Sequence, residues 1–335
     1  MKYLFLMNPL GDKRQVRTAY SSISLLRREM GEESVISVET EYAGHAEKII
    51  REYSLAYGPD VLVIACGGDG TAHEAANALA FSETPLCVFP LGTGNDFVRS
   101  VLPEPVRKDP IRLVSSLPSL SVRPVDLFSV ECFDSAGDRI PDSKRYCLNI
   151  TSFGLDTAVQ SVAKKIVNRF RRFPPIRKNA YTAATVYSIV KGWNYAMSYS
   201  FIDGLTGEKI EGELPFILSA FCNGAYYGNG FNPAPDASLT DGLMDVCLVE
   251  DLSLAKVIPL VQKYKKGTHL SHEKIHHFRI KSAIVRAAGQ VPLLRGNYDG
   301  EDFSGYEIRM EMSPQSLRYG FLRDTGHMGS VQEID

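Results

Sequence analysis

The stretch from Asp60 to Thr71 constrains the fold more than any other part of this 335-residue chain. Asp60-Val61-Leu62-Val63-Ile64-Ala65-Cys66 is an unbroken, largely β-branched apolar run, and Gly67-Gly68-Asp69-Gly70-Thr71 follows with no spacer. A strand that is apolar at every position must be covered on both faces, which is the condition of a parallel sheet in an α/β layer fold. Thr71 and Glu74 have the spacing of a capping box, so Thr71 is the expected N-cap and a helix is predicted over Thr71–Leu79. A glycine-rich strand-to-helix turn lets backbone amides approach phosphate oxygens at the positive end of a helix dipole. Taken alone, the same glycines also suit a plain tight turn.

The flanking sequence repeats the pattern. Tyr3–Met7, Ser34–Glu39 and Pro85–Pro90 read as strands, and Arg17–Met30 and Ala46–Tyr57 as helices. Strands alternating with helices imply a mostly parallel sheet. From about Val125 the pattern becomes strands divided by turns: Val125–Cys132, Arg145–Thr151, Tyr195–Ile202, Phe216–Cys222, Met244–Val249 and His277–Val285, with helical insertions near 157–192 and 253–267. The chain is long enough for two domains. The expected division is residues 1–123, with a C-terminal return of about 315–335, against residues 124–314. The six cysteines form no CxxC pair and mostly lie in apolar runs, so they are expected to be buried thiols in a reducing cytosol. The five apolar residues after Lys2 are short for a signal peptide and fit a first strand. No apolar run approaches the roughly 20 residues of a membrane span.

Two further loops shift the weighing at Gly67–Thr71. Leu91-Gly92-Thr93-Gly94-Asn95-Asp96-Phe97 follows the strand at Leu86–Pro90, and Asn8-Pro9-Leu10-Gly11 follows the first strand. In an open α/β sheet all three lie at the carboxyl ends of strands, where ligands bind. Small-residue loops of this kind, two of them carrying an Asp, describe a nucleotide and Mg²⁺ site better than chance turns.

Through these loops the sequence resembles the catalytic domain of diacylglycerol kinases and their bacterial relatives, a group that includes sphingosine and ceramide kinases. The resemblance continues in Asn149–Gly154, Asn223–Gly230, Pro233–Asp245 and Asp299-Gly300-Glu301, and so runs over nearly the whole chain. It implies an α/β nucleotide-binding domain of the NAD kinase and phosphofructokinase type, a mainly β, sandwich-like second domain, and an active site in the cleft between them. The implied reaction is transfer of the ATP γ-phosphoryl group to a lipid hydroxyl, with diacylglycerol giving phosphatidic acid as the default. The rival readings are a NAD kinase-like enzyme with a soluble acceptor and a non-catalytic, nucleotide-sensing membrane adaptor. Asp299 matches the family's base, although Asp-Gly is also a common hairpin turn. Asn8, Thr40, Gly67, Gly68, Asp69, Gly70, Thr71, Thr93 and Glu301 match nucleotide contacts. Asp69, Asp96 and Asp126 match a carboxylate network around the catalytic Mg²⁺, partly through water. Ser238, Asp241 and Leu243 match a separate structural Mg²⁺, with Asp241 giving a carboxylate and the other two backbone carbonyls. Leu10 stands where Ser is commoner in the family.

The net charge of −2 excludes a uniformly basic nucleic-acid binder. It conceals a local field, because residues 157–202 contain eight Lys or Arg and no Asp or Glu, which leaves −10 on the rest. Val159, Val162, Ile166 and Phe170 form one face of a helix in that segment, with Lys164, Lys165 and Arg172 mostly off it. A basic amphipathic helix suits the anionic inner face of a membrane, and it equally suits packing of the stripe on the second domain. Lys256–Lys281 is a milder basic stretch. The expected setting is therefore a cytoplasmic protein held peripherally on the membrane that contains its lipid acceptor, with a homo-oligomer compatible. His269, His272, His276 and His277 are expected to be solvated or membrane-facing rather than metal ligands, and His73 needs no special role.

Overall fold

The structure is a computed structural model that describes residues 1–9, 13–92, 94–170, 184, 188 and 195–322. The first half is built as its apolar runs require. Strands β1 (Lys2–Met7), β2 (Val35–Glu39), β3 (Val61–Gly67) and β4 (Leu86–Pro90) form a parallel sheet in the order β2-β1-β3-β4. Every residue of β3 and β4 is buried, as expected of strands covered on both faces. Helices α1 (Lys13–Met30), α2 (His45–Tyr57) and α3 (Asp69–Leu79) connect these strands, and the short α4 (Phe97–Val101), α5 (Glu104–Arg107) and α6 (Pro110–Ser116) follow β4.

Helix α3 corrects one expectation. It starts at Asp69 with Gly68 as N-cap, so Thr71 lies inside the first turn. Glu74 does not close a capping box. Its carboxylate accepts from the amides of Gly44 (2.8 Å) and Ala46 (3.1 Å), and so caps α2, whose own N-cap Gly44 has no side chain for the task.

The second half is antiparallel. It comprises β5 (Ser121–Phe133), β6 (Arg145–Cys147), β7 (Ile150–Gly154), helix α7 (Leu155–Arg169), β8 (Tyr195–Asp203), β9 (Lys209–Cys222), β10 (Met244–Glu250), helix α8 (Leu254–Lys266), β11 (Ile275–Ala287), β12 (Leu294–Tyr298), β13 (Glu301–Gly305) and β14 (Glu307–Phe321). The run Arg145–Thr151 divides into two strands because residues 148–150 turn around the side chain of Asp299. Strands β12 and β13 form a hairpin, with Asp299 and Gly300 at its tip in the left-handed region (φ +49° and +99°). An Asp-Gly pair is suited to that two-residue turn.

Two long strands join the halves. Strand β14 pairs with β5 over nearly its whole length and also reaches β4 through Tyr319 and Leu86. Val125 and Leu127 of β5, with Leu317 and Tyr319 of β14, pack into the first core. Phe128 and Val130, with Ile308, Met310 and Met312, pack into the second. Both strands therefore pass from one core to the other, with a register shift between Ser313 and Leu317 at the crossing. Residues 323–335 of the expected C-terminal return lie outside the described residues. All six cysteines are buried, and none forms a disulfide.

Candidate active site

Loops at the carboxyl ends of the parallel strands converge on one place. The backbone of Asn8, at the end of β1, donates to the Cys66 carbonyl (2.9 Å), and its side-chain amide reaches Thr71 Oγ1 (3.3 Å). The Thr40 amide donates to the Met7 carbonyl (2.9 Å), which places Thr40 beside Asn8. The two glycine loops touch backbone to backbone, since a Cβ on Gly92 would lie 2.5 Å from Gly68 Cα. Asn95 braces its loop by accepting from the Gly92 amide (3.1 Å) and donating to the Gly92 carbonyl (2.7 Å). Thr93, Leu10 and Gly11 lie outside the described residues.

Asp69 and Asp96 meet above these loops. Asp69 Oδ1 accepts from the Asp96 amide (2.8 Å), and a Cβ on Gly94 would lie 2.8 Å from Asp69 Oδ2. Burial, then the charge of Asp96, pushes the Asp69 carboxyl up to about 6, and burial raises Asp96 as well. Asp69 keeps some solvent contact, and the crowding of like charge adds to the desolvation that leads the shift. Asp96 also reaches the second half. Its oxygens accept from the amides of Asn229 and Gly230 (both 2.9 Å), and Arg99 Nε lies 3.2 Å away.

Asp299 closes the site from the other side. Its Oδ1 accepts from the amides of Asn149 (2.9 Å) and Ile150 (3.2 Å) and from Cys147 Sγ (3.3 Å). Its Oδ2 accepts from the Leu148 amide (2.7 Å) and lies 3.0 Å from His73 Nδ1 on α3. The His73 ring stacks on Tyr298 at 5.1 Å. Asn77, one turn along α3, exchanges two hydrogen bonds with the backbone of Tyr146 (2.8 and 2.9 Å). Glu301 faces the glycine loop, with its Oε1 3.4 Å from where a Cβ on Gly70 would sit. The two halves thus meet through a glycine loop, one carboxylate hairpin and one helix face.

Residues 2–130 match the diacylglycerol kinase catalytic domain, and residues 149–320 match the YegS C-terminal NAD kinase beta sandwich-like domain. The chain belongs to the YegS-like, diacylglycerol kinase-related family of lipid kinases. It is 27% identical to a YegS-like lipid kinase of Stenotrophomonas maltophilia over 289 residues, 82% of each chain. It is 26% identical to a diacylglycerol kinase of Mycobacterium tuberculosis over 292 residues, 86% of each chain. Among solved structures, a diacylglycerol kinase of Bacillus anthracis aligns with a TM-score of 0.65 at 18% identity, covering 96% of this chain and 97% of that one. The yeast NADH kinase in complex with NADH aligns with a TM-score of 0.51 at 11% identity, covering 97% and 84%. These two share the fold: a parallel nucleotide-type layer joined to a β-sandwich-like layer.

Within this lipid-kinase family the expected ligand sets separate. Asp69 and Asp96 are brought together, with the charge of Asp299 in reach of Asp69. Asp126 belongs elsewhere. Its oxygens accept from the amides of Gln315 and Gly242 (both 2.7 Å), and its charged neighbour is Asp241. The Asp69–Asp96 pair fits Mg²⁺ by its chemistry, because two crowded, buried carboxylates whose negative charge is disfavoured are what a hard cation relieves. Among the described residues no group of three or more His, Cys, Asp or Glu could hold a metal alone, so phosphate oxygens would have to complete such an ion's shell. The second set does not fit. Ser238 Oγ lies 3.4 Å from Thr240 Oγ1, while Asp241 accepts from the Leu243 amide (3.1 Å) and from the guanidinium of Arg279. Both of its oxygens are engaged by protein donors.

The histidines also differ from expectation. His269 is fully buried, with Nε2 3.1 Å from the Pro233 carbonyl, and burial lowers it to about 4. His276 and His277 pair with Glu250 (2.6 Å) and Asp245 (2.9 Å). No signal in the sequence marks His73 or Asn77 beyond their i,i+4 spacing on a short helix, since their partners are remote in the chain.

Proposed function

We propose that this chain transfers the γ-phosphoryl group of ATP to the hydroxyl of a bilayer lipid, diacylglycerol first, giving phosphatidic acid and ADP. The observation that carries the reading is the convergence of Asp299 and Glu301 on the first turns of α3, beside Asp69 and the glycine loops. The amides of the Gly67–Gly70 turn and the positive end of α3 suit the nucleotide phosphates, with Asn8, Thr40 and Thr71 lining the same strand ends. Mg²⁺, held by Asp69 and Asp96 and by the phosphates, would supply the charge neutralisation that phosphoryl transfer needs. Asp299 takes the proton of the acceptor hydroxyl as its oxygen bonds to the γ-phosphorus and the bond to the β-phosphate oxygen breaks. Both oxygens of Asp299 are already engaged, so the hydroxyl replaces His73 at Oδ2, while the backbone amides at 148–150 hold the carboxylate in place. The proposed nucleotide contacts include Thr93.

We place the protein peripherally on the anionic inner face of the membrane. Among the described residues no helix is long and apolar enough to cross a bilayer. Lys165 and Arg169 are exposed on α7, and Lys256, Lys263, Lys265 and Lys266 on α8, beside a largely exposed Ile258 (64%). The apolar stripe of α7 faces inward, with Val159 and Ala163 buried and Val162 and Ile166 packed against them, which leaves the lysines and arginines free for phospholipid headgroups. The side chain of Lys164, and Arg171, Arg172, Arg177, Lys178 and Lys191, lie outside the described residues.

Purified protein given labelled ATP and a panel of lipid alcohols should yield labelled phosphatidic acid on thin-layer plates. Labelled NADP from NAD, with no labelled lipid, would overturn the reading. Asp299→Asn should cost roughly 10²–10⁴ in rate, and an unchanged rate would remove Asp299 from the base role.

A further inference from the structure

The turn from Ala237 to Leu243 is anchored in both halves. Leu239 packs in the first core, and its carbonyl accepts from the Asp126 amide (2.7 Å), while the Gly242 amide donates to Asp126 Oδ2. Strand β10 follows at once and carries Asp245, whose Oδ2 is buried without a hydrogen-bond partner among the described residues. Asp126 and Asp245 are buried and Asp241 stands at the exposed rim beside them, so three carboxylates crowd one turn, an arrangement that a cation relieves.

Arg279 of β11 stands directly opposite Asp245 in the β10–β11 register. Its Nη2 bonds Asp241 Oδ2, and its Nε lies 3.8 Å from Asp245 Oδ1, the same oxygen that His277 Nε2 approaches at 2.9 Å. A cross-strand position fixes where the side chain starts, and a planar guanidinium spans two carboxylates at once. A guanidinium also holds its charge over the whole physiological range.

We infer that Arg279 is the resident cation of this interdomain turn, doing the charge-neutralising work that the family resemblance assigns to a structural Mg²⁺. The turn is then independent of divalent ions in this chain. Removing the guanidinium frees Asp241 Oδ2 and leaves Asp245 with His277 alone among the described residues, and the freed carboxylate oxygens are donors that a hard cation accepts. One substitution should therefore convert a metal-independent turn into a metal-dependent one.

The test uses the full, nucleotide-free chain in an Asp69→Asn background, so that any divalent response of the Asp69–Asp96 pair drops out. Thermal unfolding is followed in chelator and in Mg²⁺ or Ca²⁺, and bound Tb³⁺ is counted by luminescence. With Arg279 present, Tm should be the same in chelator and in metal, with no saturable Tb³⁺ at the turn. Arg279→Gln should lower Tm in chelator by roughly 2 °C, recover most of it in Ca²⁺ or Mg²⁺, and gain one Tb³⁺ that Asp241→Asn then abolishes. Arg279→Lys, which keeps a cation, should remain metal-insensitive. A chelator-induced drop in Tm with Arg279 present would overturn the inference, and that arm stands even if the Gln variant fails to fold. A Gln variant that folds and ignores divalent ions would overturn it equally.

Discussion

Two aspartate pairs in this molecule receive opposite treatment. Asp69 and Asp96 face each other at the carboxyl end of the parallel sheet, where Arg99 is the one cation in contact among the described residues, and it approaches Asp96 alone. Asp241 and Asp245 lie at the start of an antiparallel strand and share a guanidinium. Burial raises both carboxyls of the first pair, and the charge of Asp96 adds to the rise at Asp69; burial raises Asp241 too, but there the Leu243 amide and the Arg279 guanidinium pull the carboxyl back. In the second, a guanidinium from the facing strand meets the charge from within the protein. Charge left unbalanced in a cleft is characteristic of a functional site, whereas charge balanced across a strand pair holds a turn together.

The largest expected effect comes from exchanging the two behaviours. Asp69→Asn should reduce lipid phosphorylation by roughly 10²-fold or more, the usual scale for losing one electrostatic element of a reacting centre. The same change should stabilise the nucleotide-free protein at pH 8 by about 1 kcal/mol, a figure kept below the full 1.36 kcal/mol per pKa unit because Asp69 retains some solvent contact. Asp241→Asn, which removes the partly exposed pair with Arg279, should change urea-unfolding stability by less than about 0.5 kcal/mol and leave kcat within a few-fold. If Asp241→Asn moved stability or rate as far as Asp69→Asn does, the contrast between the pairs would fail.

A smaller effect separates holding from reacting. His73→Phe keeps a ring against Tyr298 but drops the contact with Asp299. It should lower kcat roughly tenfold, on the scale of one hydrogen bond to a charged group, and leave KM for ATP unchanged. A rise in KM with kcat preserved would assign His73 to nucleotide binding.

The smallest effect is a pH slope. The Asp69 carboxyl is raised from 3.8 to about 6 in the folded chain. Its contribution to stability is then fully present below about pH 4 and is lost as pH rises through about 6. Chemical denaturation of the nucleotide-free protein between pH 4 and 7 should show that decline, flattened in Asp69→Asn. Arg279→Gln should leave the slope unchanged.

The first half was readable because its signals are local. Val61–Cys66 and Leu86–Pro90 are apolar at every position, which only a doubly covered strand explains, and glycine is required where Gly68 and Gly92 touch. Strand β14 carries an equally local signal, the alternation of Ile308, Met310 and Met312 with charged residues, but Pro314 and the left-handed Gln315 interrupt it before Leu317 and Tyr319 turn into the other core. The capping pattern at Thr71 and Glu74 misled because spacing along a helix cannot tell a cap on its own terminus from one on a neighbour. His73 was unreadable in principle, since its partner Asp299 is 226 residues away. The roles of Asp126 and Arg279 depend on pairings that form only when β5, β10, β11 and β14 lie side by side.

The shared strands β5 and β14 bear on how a lipid could enter the cleft. A pair of hydrogen-bonded strands whose side chains are embedded in both cores acts as a stiff leaf spring and has no free joint. Opening must then come from flexing near the shift between Ser313 and Leu317, close to where Gln315 holds Asp126. Asp299, at the tip of a hairpin in the second half, is thereby held at a fixed reach from His73 in the first.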